Sequence, residues 1–202
     1  LDAARLMMSS FYLGQDGNNL NKWADLLLED GRYKSLLTAD AANNKGVFQK
    51  TLVEIKENKE YNLCLTKKDR PRDAAKCLLD YAKAYPTSSQ ALRAYAGAAR
   101  FYRTARDKDE VIETYYKLAK DHPEDPRAQQ ALLEIADVHR ETADFSKAAA
   151  AYEELVEKYP SSNEAMKALT RANQIREALG QYDKLVANAE RFIKYLGKDK
   201  DA

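Results

Sequence analysis

The sequence lacks any apolar run approaching the roughly 18 residues that a membrane-spanning helix requires. It opens LDAARLMMSS, without an initiator methionine, a basic leader or a cleavage site, which gives the expectation of an excised or processed fragment whose targeting information is gone. Seven glycines and five prolines among 202 residues are too few turn formers for a sheet protein. Ala, Leu, Lys and Glu dominate instead and favour helix. The mean hydropathy is low, at −0.68, yet aliphatic residues recur at helical spacing, which excludes disorder. Cys64 and Cys77 are the only cysteines and decide little about compartment. Free, half-buried thiols are their expected state; the alternative is a pair across a helix hairpin in an oxidising space.

Charge of one sign is also missing. The formal net charge is +1, which gives no prior for nucleic acid, but residues 47–110 carry 14 basic against 9 acidic side chains. That mildly basic middle matters if it faces a groove.

What the sequence has is a period. Pro86, Pro123 and Pro160 stand 37 residues apart, twice over, in the contexts AYPTSS, DHPEDP and KYPSSN. Stepping back from each proline gives matching columns: Ala74, Val111 and Ala148; Leu78, Tyr115 and Tyr152; Tyr81, Leu118 and Leu155. Ala98, Ile135 and Ala172 form another, followed by Ala99, Ala136 and Asn173. A fourth copy continues with Leu185, Ala189 and Phe192, and Gly197 stands where the proline would be. Each unit resolves into two amphipathic helices, predicted over 91–106 and 128–143 for the first helices, broken at ARDKDE, TADFSK and LGQYDK. The second helix stops at proline because the residue before Pro is pushed away from helical ψ. Following Ser, Asp or Asn residues can cap the next helix. One such pair is too thin to bury its apolar stripe, whereas stacked copies share a continuous core. A helical bundle with chance periodicity is the alternative that two equal spacings oppose.

These residues resemble the tetratricopeptide repeat. Leu132, Ile135, Ala136, His139, Ala148, Tyr152, Leu155 and Pro160 keep the spacing of that family's W-x2-L-G-x2-Y…A-x3-F…P pattern, with Phe145 as the aromatic in the turn. Ala replaces the small Gly, His139 replaces an aromatic, and three extra residues separate each proline from the next unit. The 37-residue spacing resembles the variety common in Gram-negative envelope proteins, of outer-membrane assembly lipoprotein and periplasmic division- or motility-coordinator type. The resemblance implies an all-α, right-handed α-solenoid of four to five antiparallel helix pairs, and a periplasmic or envelope location, with the cytoplasm as alternative. It covers residues 72–197.

The first 70 residues fit less well. Helices are expected over Asp2–Leu13 and Leu20–Glu29, broken by GQDGNN, and Leu20, Trp23 and Leu27 mimic a second-helix pattern. An irregular insert is expected around 31–46, then a long helix from Val47 to about Thr66, joined across KKDRPRD to the helix closed by Pro86. Pro71 suits a helix start. The division is therefore 1–46, a degenerate pair plus insert, and 47–202, the array closing near Pro86, Pro123, Pro160 and Gly197.

Catalysis needs convergent residues, and none emerge. His122 stands where other copies have Tyr85 and Tyr159, and His139 shares a column with Tyr102 and Arg176, so packing or capping is expected of both. There is no HxxxH, CxxC, GxGxxG, GxxxxGK[ST] or GxSxG, so no metal, cofactor or catalytic residue is expected.

The resemblance implies a concave surface lined by the first helix of each pair. By family geometry the groove positions are Lys56, Lys59, Leu63, Thr66 and Lys67; Arg93, Ala96, Arg100, Arg103 and Thr104; Gln130, Leu133, Asp137, Arg140 and Glu141; and Lys167, Thr170, Gln174, Glu177 and Ala178. Such a groove draws an acidic or carboxylate-bearing segment of another protein. The bland reading is that long basic side chains keep an exposed helix face soluble. A clamp for a chaperone's terminal carboxylate is disfavoured: Lys59 suits it, but Leu63 stands where an Asn is needed, and Gly97 and Glu134 break the rest. Thirteen tyrosines are present; Tyr95, Tyr115 and Tyr152 fall in core columns, while Tyr12, Tyr33, Tyr61 and Tyr116 do not assign themselves. The leading expectation is a non-enzymatic protein-binding scaffold in an envelope assembly. A structural spacer between flanking domains comes second, and an RNA-binding helical repeat third, opposed by the near-zero net charge.

Overall fold

The structure, a computed structural model, describes residues 2–44 and 46–196. The described residues are all helical or connecting, with no strand. The helices are α1 (Asp2–Leu13), α2 (Gly17–Glu29), α3 (Lys34–Asn44), α4 (Val47–Leu65), α5 (Pro71–Ala84), α6 (Ala91–Thr104), α7 (Lys108–Asp121), α8 (Pro126–Glu141), α9 (Phe145–Lys158), α10 (Ala165–Ala178) and α11 (Tyr182–Leu196), with a 3-10 turn over Gly31–Tyr33. They form two compact units, Leu1–Ala94 and Tyr95–Ala202, with the boundary inside α6. The expected closing position Gly197 lies outside the described residues.

The 37-residue period is visible in the backbone itself. Tyr85, His122 and Tyr159, each preceding a proline, end α5, α7 and α9 with nearly equal torsions, near φ −127°, −135° and −131°. Each returns its N–H to a carbonyl four residues back, that of Tyr81, Leu118 and Leu155. The turns within the later pairs also repeat. Arg106, Ala143 and Gly180, again 37 apart, all adopt left-handed φ of 57°, 59° and 66°. The next N–H in each, from Asp107, Asp144 and Gln181, closes onto the carbonyl of Tyr102, His139 and Arg176, the bond of a Schellman ending. Only Gly180 is at ease in that conformation; the other two positions tolerate it because the ending satisfies their helices' last carbonyls.

The core columns are where the period places them. Ala74, Val111 and Ala148 are buried, as are Tyr81, Leu118 and Leu155, and Ala98, Ile135 and Ala172. In the second unit α7 packs on α8, α8 on α9, α9 on α10 and α10 on α11. One cluster runs through Leu132, Ile135, Tyr152, Leu155, Ala168 and Leu169, with Ile112, Tyr115 and Phe192 packed on it. The alanines let helices approach closely and the larger side chains fill the space beyond them. The fourth copy is thinner: Ala189 of α11 is exposed although its column is otherwise covered.

In the first unit α2 packs on α1 and α4, α3 on α4, and α4 on α5. Met8, Ala24, Leu27, Phe48 and Leu52 make the core, with Leu20 and Trp23 against it. Asp16 accepts the N–H of Asn19, so α2 starts at Gly17 rather than Leu20. The expected irregular insert is corrected: residues 34–44 are a helix, because Leu36 and Leu37 find the same core and Asp30 caps the preceding turn through the N–H of Arg32. Asp40, fully buried on α3, binds Arg5 of α1 at 2.7 Å and accepts the N–H of Gln49 at 3.0 Å. Gly46 at the start of α4 has no side chain to cap with, and Asp40 supplies that acceptor from another helix.

The expectation of free thiols is also corrected. Cys64 of α4 and Cys77 of α5 form a disulfide, with their Cα atoms 5.4 Å apart. In the 37-residue register the following pairs place Phe101 with Thr114, Val138 with Ala151, and Ile175 with Asn188 at these positions. The pair closed by Pro86 thus carries a covalent bond where its neighbours carry ordinary side chains.

Candidate protein-binding surface

The first helix of each pair supplies the candidate surface. On α4, Lys56 pairs with Glu29 at 2.7 Å and Lys59 with Asp25, both carboxylates belonging to α2. The hydrogen bond to Glu29 raises the Lys56 pKa, keeping it charged. These two lysines therefore tie α4 to α2. Lys59 also lines an open cleft of about 780 Å³ over the α4–α5 hairpin, beside the disulfide, together with Leu63, Lys67, Arg70, Lys76 and Tyr81. Leu63 is 57% exposed there, an apolar contact among side chains of both signs, since Glu60, Asp73 and Asp80 also line the cleft.

On α6, Arg93 and Arg100 are exposed and carry no ion pair among the described residues, whereas Arg103 lies between Glu134 at 3.6 Å and Glu141 at 3.7 Å of α8. On α8, Arg140 is held by Asp137 at 3.0 Å, and Asp137 in turn accepts the Tyr152 hydroxyl at 3.1 Å. Gln130 donates to Glu134 at 3.1 Å. Leu133, placed in the groove by family geometry, is instead buried and joins the core cluster. On α10, Lys167 pairs with Glu164 at 2.9 Å, and Thr170, Gln174, Glu177 and Ala178 are exposed. The structure so brings Arg103, Gln130, Glu134 and Glu141 together across α6 and α8, and leaves Arg100 beside them as the cation without a carboxylate. Exposed pairs like these contribute little stability and exchange partners readily.

Both histidines are packing groups. The His122 ring meets Tyr95 edge-on at 6.0 Å, and Tyr95 donates to Asp121 at 2.7 Å. Burial and the Asp121 carboxylate push the Tyr95 hydroxyl far above its ordinary range, so it stays a donor. Burial lowers the pKa of His139, against a weaker opposing pull from Asp144. Among the described residues no group of three or more His, Cys, Asp or Glu is arranged to hold a metal ion, and no helix is long and apolar enough to cross a membrane. Tyr152 is buried and Tyr115 partly so, while Tyr12 and Tyr116 are exposed, the latter reaching Glu154 at 3.3 Å.

A buried polar network was not foreseen. Arg176, 2% exposed, makes a two-pronged contact with Glu153 at 2.9 and 2.8 Å and reaches Gln181 at 2.6 Å and Ser146 at 3.2 Å. Asn188, 1% exposed, joins Glu153 at 3.0 Å to Asn173 at 2.8 Å. Burial pushes the Glu153 carboxyl up, but the bonds from Arg176 and Asn188 outweigh it and its pKa ends lowered. The signal lay in the columns: Arg176 and Asn173 replace Tyr or His and Ala at packing positions of the fourth copy.

Residues 62–195 match the family model YfiO, described as an outer membrane lipoprotein. No curated protein matches the sequence. Solved structures superpose loosely. A putative kinesin light chain with nearly identical TPR-like repeats from Podosopora anserina gives a TM-score of 0.46 at 11% identity, over 100% of this chain and 97% of that one. MamA gives 0.43 at 16%, over 99% and 93%. BtubC from P. vanneervenii gives 0.48 at 12%, over 100% and 88%.

Proposed function

The chain belongs to the YfiO family of outer membrane lipoproteins, and from that premise we propose that it is a non-enzymatic scaffold of an envelope assembly, holding a segment of another protein against the first helices of its pairs. The observation that carries this reading is the cation set on α6, where Arg100 lacks a carboxylate and Arg103 shares two at distances of 3.6 and 3.7 Å. An incoming acidic or carboxylate-bearing segment meets Arg100 first and competes with Glu134 and Glu141 for Arg103, with charge steering the approach and apolar contacts holding it. Within the second unit Gln130, Arg140 and Lys167 supply polar contacts around these arginines; in the first unit Lys56 and Lys59 are already engaged by Glu29 and Asp25. The Cys64–Cys77 disulfide supports an oxidising compartment such as the periplasm, because disulfides persist there and are rare in reducing cytosol.

One observation favours a second reading. Lys56, Lys59, Arg103, Arg140 and Lys167 already have carboxylate partners, as expected of a spacer whose surface takes no ligand. Affinity capture from an envelope extract separates the two. The scaffold reading predicts specific capture of a protein by the native chain and its loss with Arg100→Glu plus Arg103→Glu. Capture of nothing, or capture indifferent to both charge reversals, contradicts it.

A further inference from the structure

Ordinary side chains suffice at the place of the disulfide. In the same register α8 and α9 bring Val138 and Ala151 to these positions, both buried, and that pair packs without a covalent bond. The α4–α5 pair keeps the rest of the seam: Ala74, Leu78 and Tyr81 are buried on α5 as Ala148, Tyr152 and Leu155 are on α9. The bond is thus added to an interface that apolar contact already closes. The two cysteines also differ in access. Both line the open cleft of about 780 Å³ over the hairpin, a space of the size that admits a small organic molecule. Cys64 is 3% exposed, whereas Cys77 is half-buried. The cleft carries charge of both signs, so access rather than charge decides where a thiolate reacts.

We propose that the Cys64–Cys77 bond is a reversible redox site that takes small thiols of the glutathione class from this cleft, with Cys77 as the exchanging sulfur and Cys64 as the resolving one. An external thiolate attacks Cys77 Sγ and a new sulfur–sulfur bond forms there. The Cys64–Cys77 bond breaks with its electron pair on Cys64 Sγ, which then takes a proton from water. From this mixed disulfide the reaction runs either way. Cys64, its Cα 5.4 Å from that of Cys77, attacks Cys77 Sγ and expels the thiol. Alternatively a second external thiolate attacks the external sulfur and leaves as a small disulfide, with both cysteines reduced. The chain has then gained two electrons and two protons, and the two thiols have lost them. Because the apolar seam remains, reduction loosens the α4–α5 pair without unfolding it. This site does not depend on partner binding at α6.

The test treats the full chain with reduced glutathione in the absence of denaturant and follows intact mass after acid quenching. The expected result is complete reduction at a rate proportional to glutathione and insensitive to urea below the unfolding transition. The circular dichroism spectrum stays unchanged, and faster hydrogen exchange is confined to α4 and α5. Glutathione disulfide adds to Cys77 in Cys64→Ser at least about tenfold faster than to Cys64 in Cys77→Ser. A rate independent of glutathione, or one rising with urea as steeply as global unfolding, shows that the chain must unfold first and overturns the proposal. So do loss of helix on reduction and equal or faster reaction at Cys64. The kinetics of the native chain decide the matter whether or not a single variant folds.

Discussion

Glu153 and Arg176 show how one buried pair fixes a helix interface. A two-pronged ion pair with almost no solvent access is costly to break from one side, because the remaining charge is left without a partner. Arg176→Met is therefore expected to cost about 3 kcal/mol in urea unfolding at neutral pH. The Glu153 carboxyl has a folded pKa below its unfolded value near 4.3, so its stabilisation is complete above that pH and fades as pH falls through the window beneath it. The stability difference between the native chain and Glu153→Gln should thus be large at pH 7 and shrink toward pH 3. A difference that stays constant across that range means the carboxylate does not hold Arg176 as described. At this scale the sequence was only partly legible. The apolar columns located Ile135, Tyr152 and Leu155 directly, because burial of such residues needs no partner. Arg176 stands in the sequence only as a member of the His139 column and Asn188 gives no signal, because a buried polar side chain makes sense only once its partners on other helices are known.

Among the elements, the α4–α5 hairpin stands apart from its neighbours. The Cys64–Cys77 bond closes a loop of 13 residues, which in the loop-entropy view contributes about 3 kcal/mol by restricting the unfolded chain. Cys64→Ser plus Cys77→Ser is expected to lower the urea midpoint by the equivalent amount without changing helix content, and a reducing agent to act on the native chain alone. Equal midpoints in oxidised and reduced native chain would show that the bond does not form. The period revealed where α5 to α10 end because proline and the left-handed turn residues act locally. It gave no hint of α3, whose helix depends on Leu36, Leu37 and Asp40 finding Trp23, Phe48 and Arg5 far along the chain. The cysteines were equally mute, since pairing across a hairpin depends on a geometry that spacing alone leaves open.

For the whole chain, the reading joins a regular core to a variable surface. The same columns that bury Ala98, Ile135 and Ala172 turn Arg100, Asp137 and Gln174 outward, so a partner can be chosen by surface residues without disturbing the fold. The groove positions were legible as positions, through repeat register, but not as chemistry: Leu133 turned inward, and carboxylates from neighbouring helices meet Lys56, Lys59 and Arg103. The most direct measurement is hydrogen exchange on the chain with and without its captured partner. The account predicts added protection on α6, α8 and α10, with α7 and α9 unchanged. Protection confined to α7 and α9, or none at saturating partner, would contradict it.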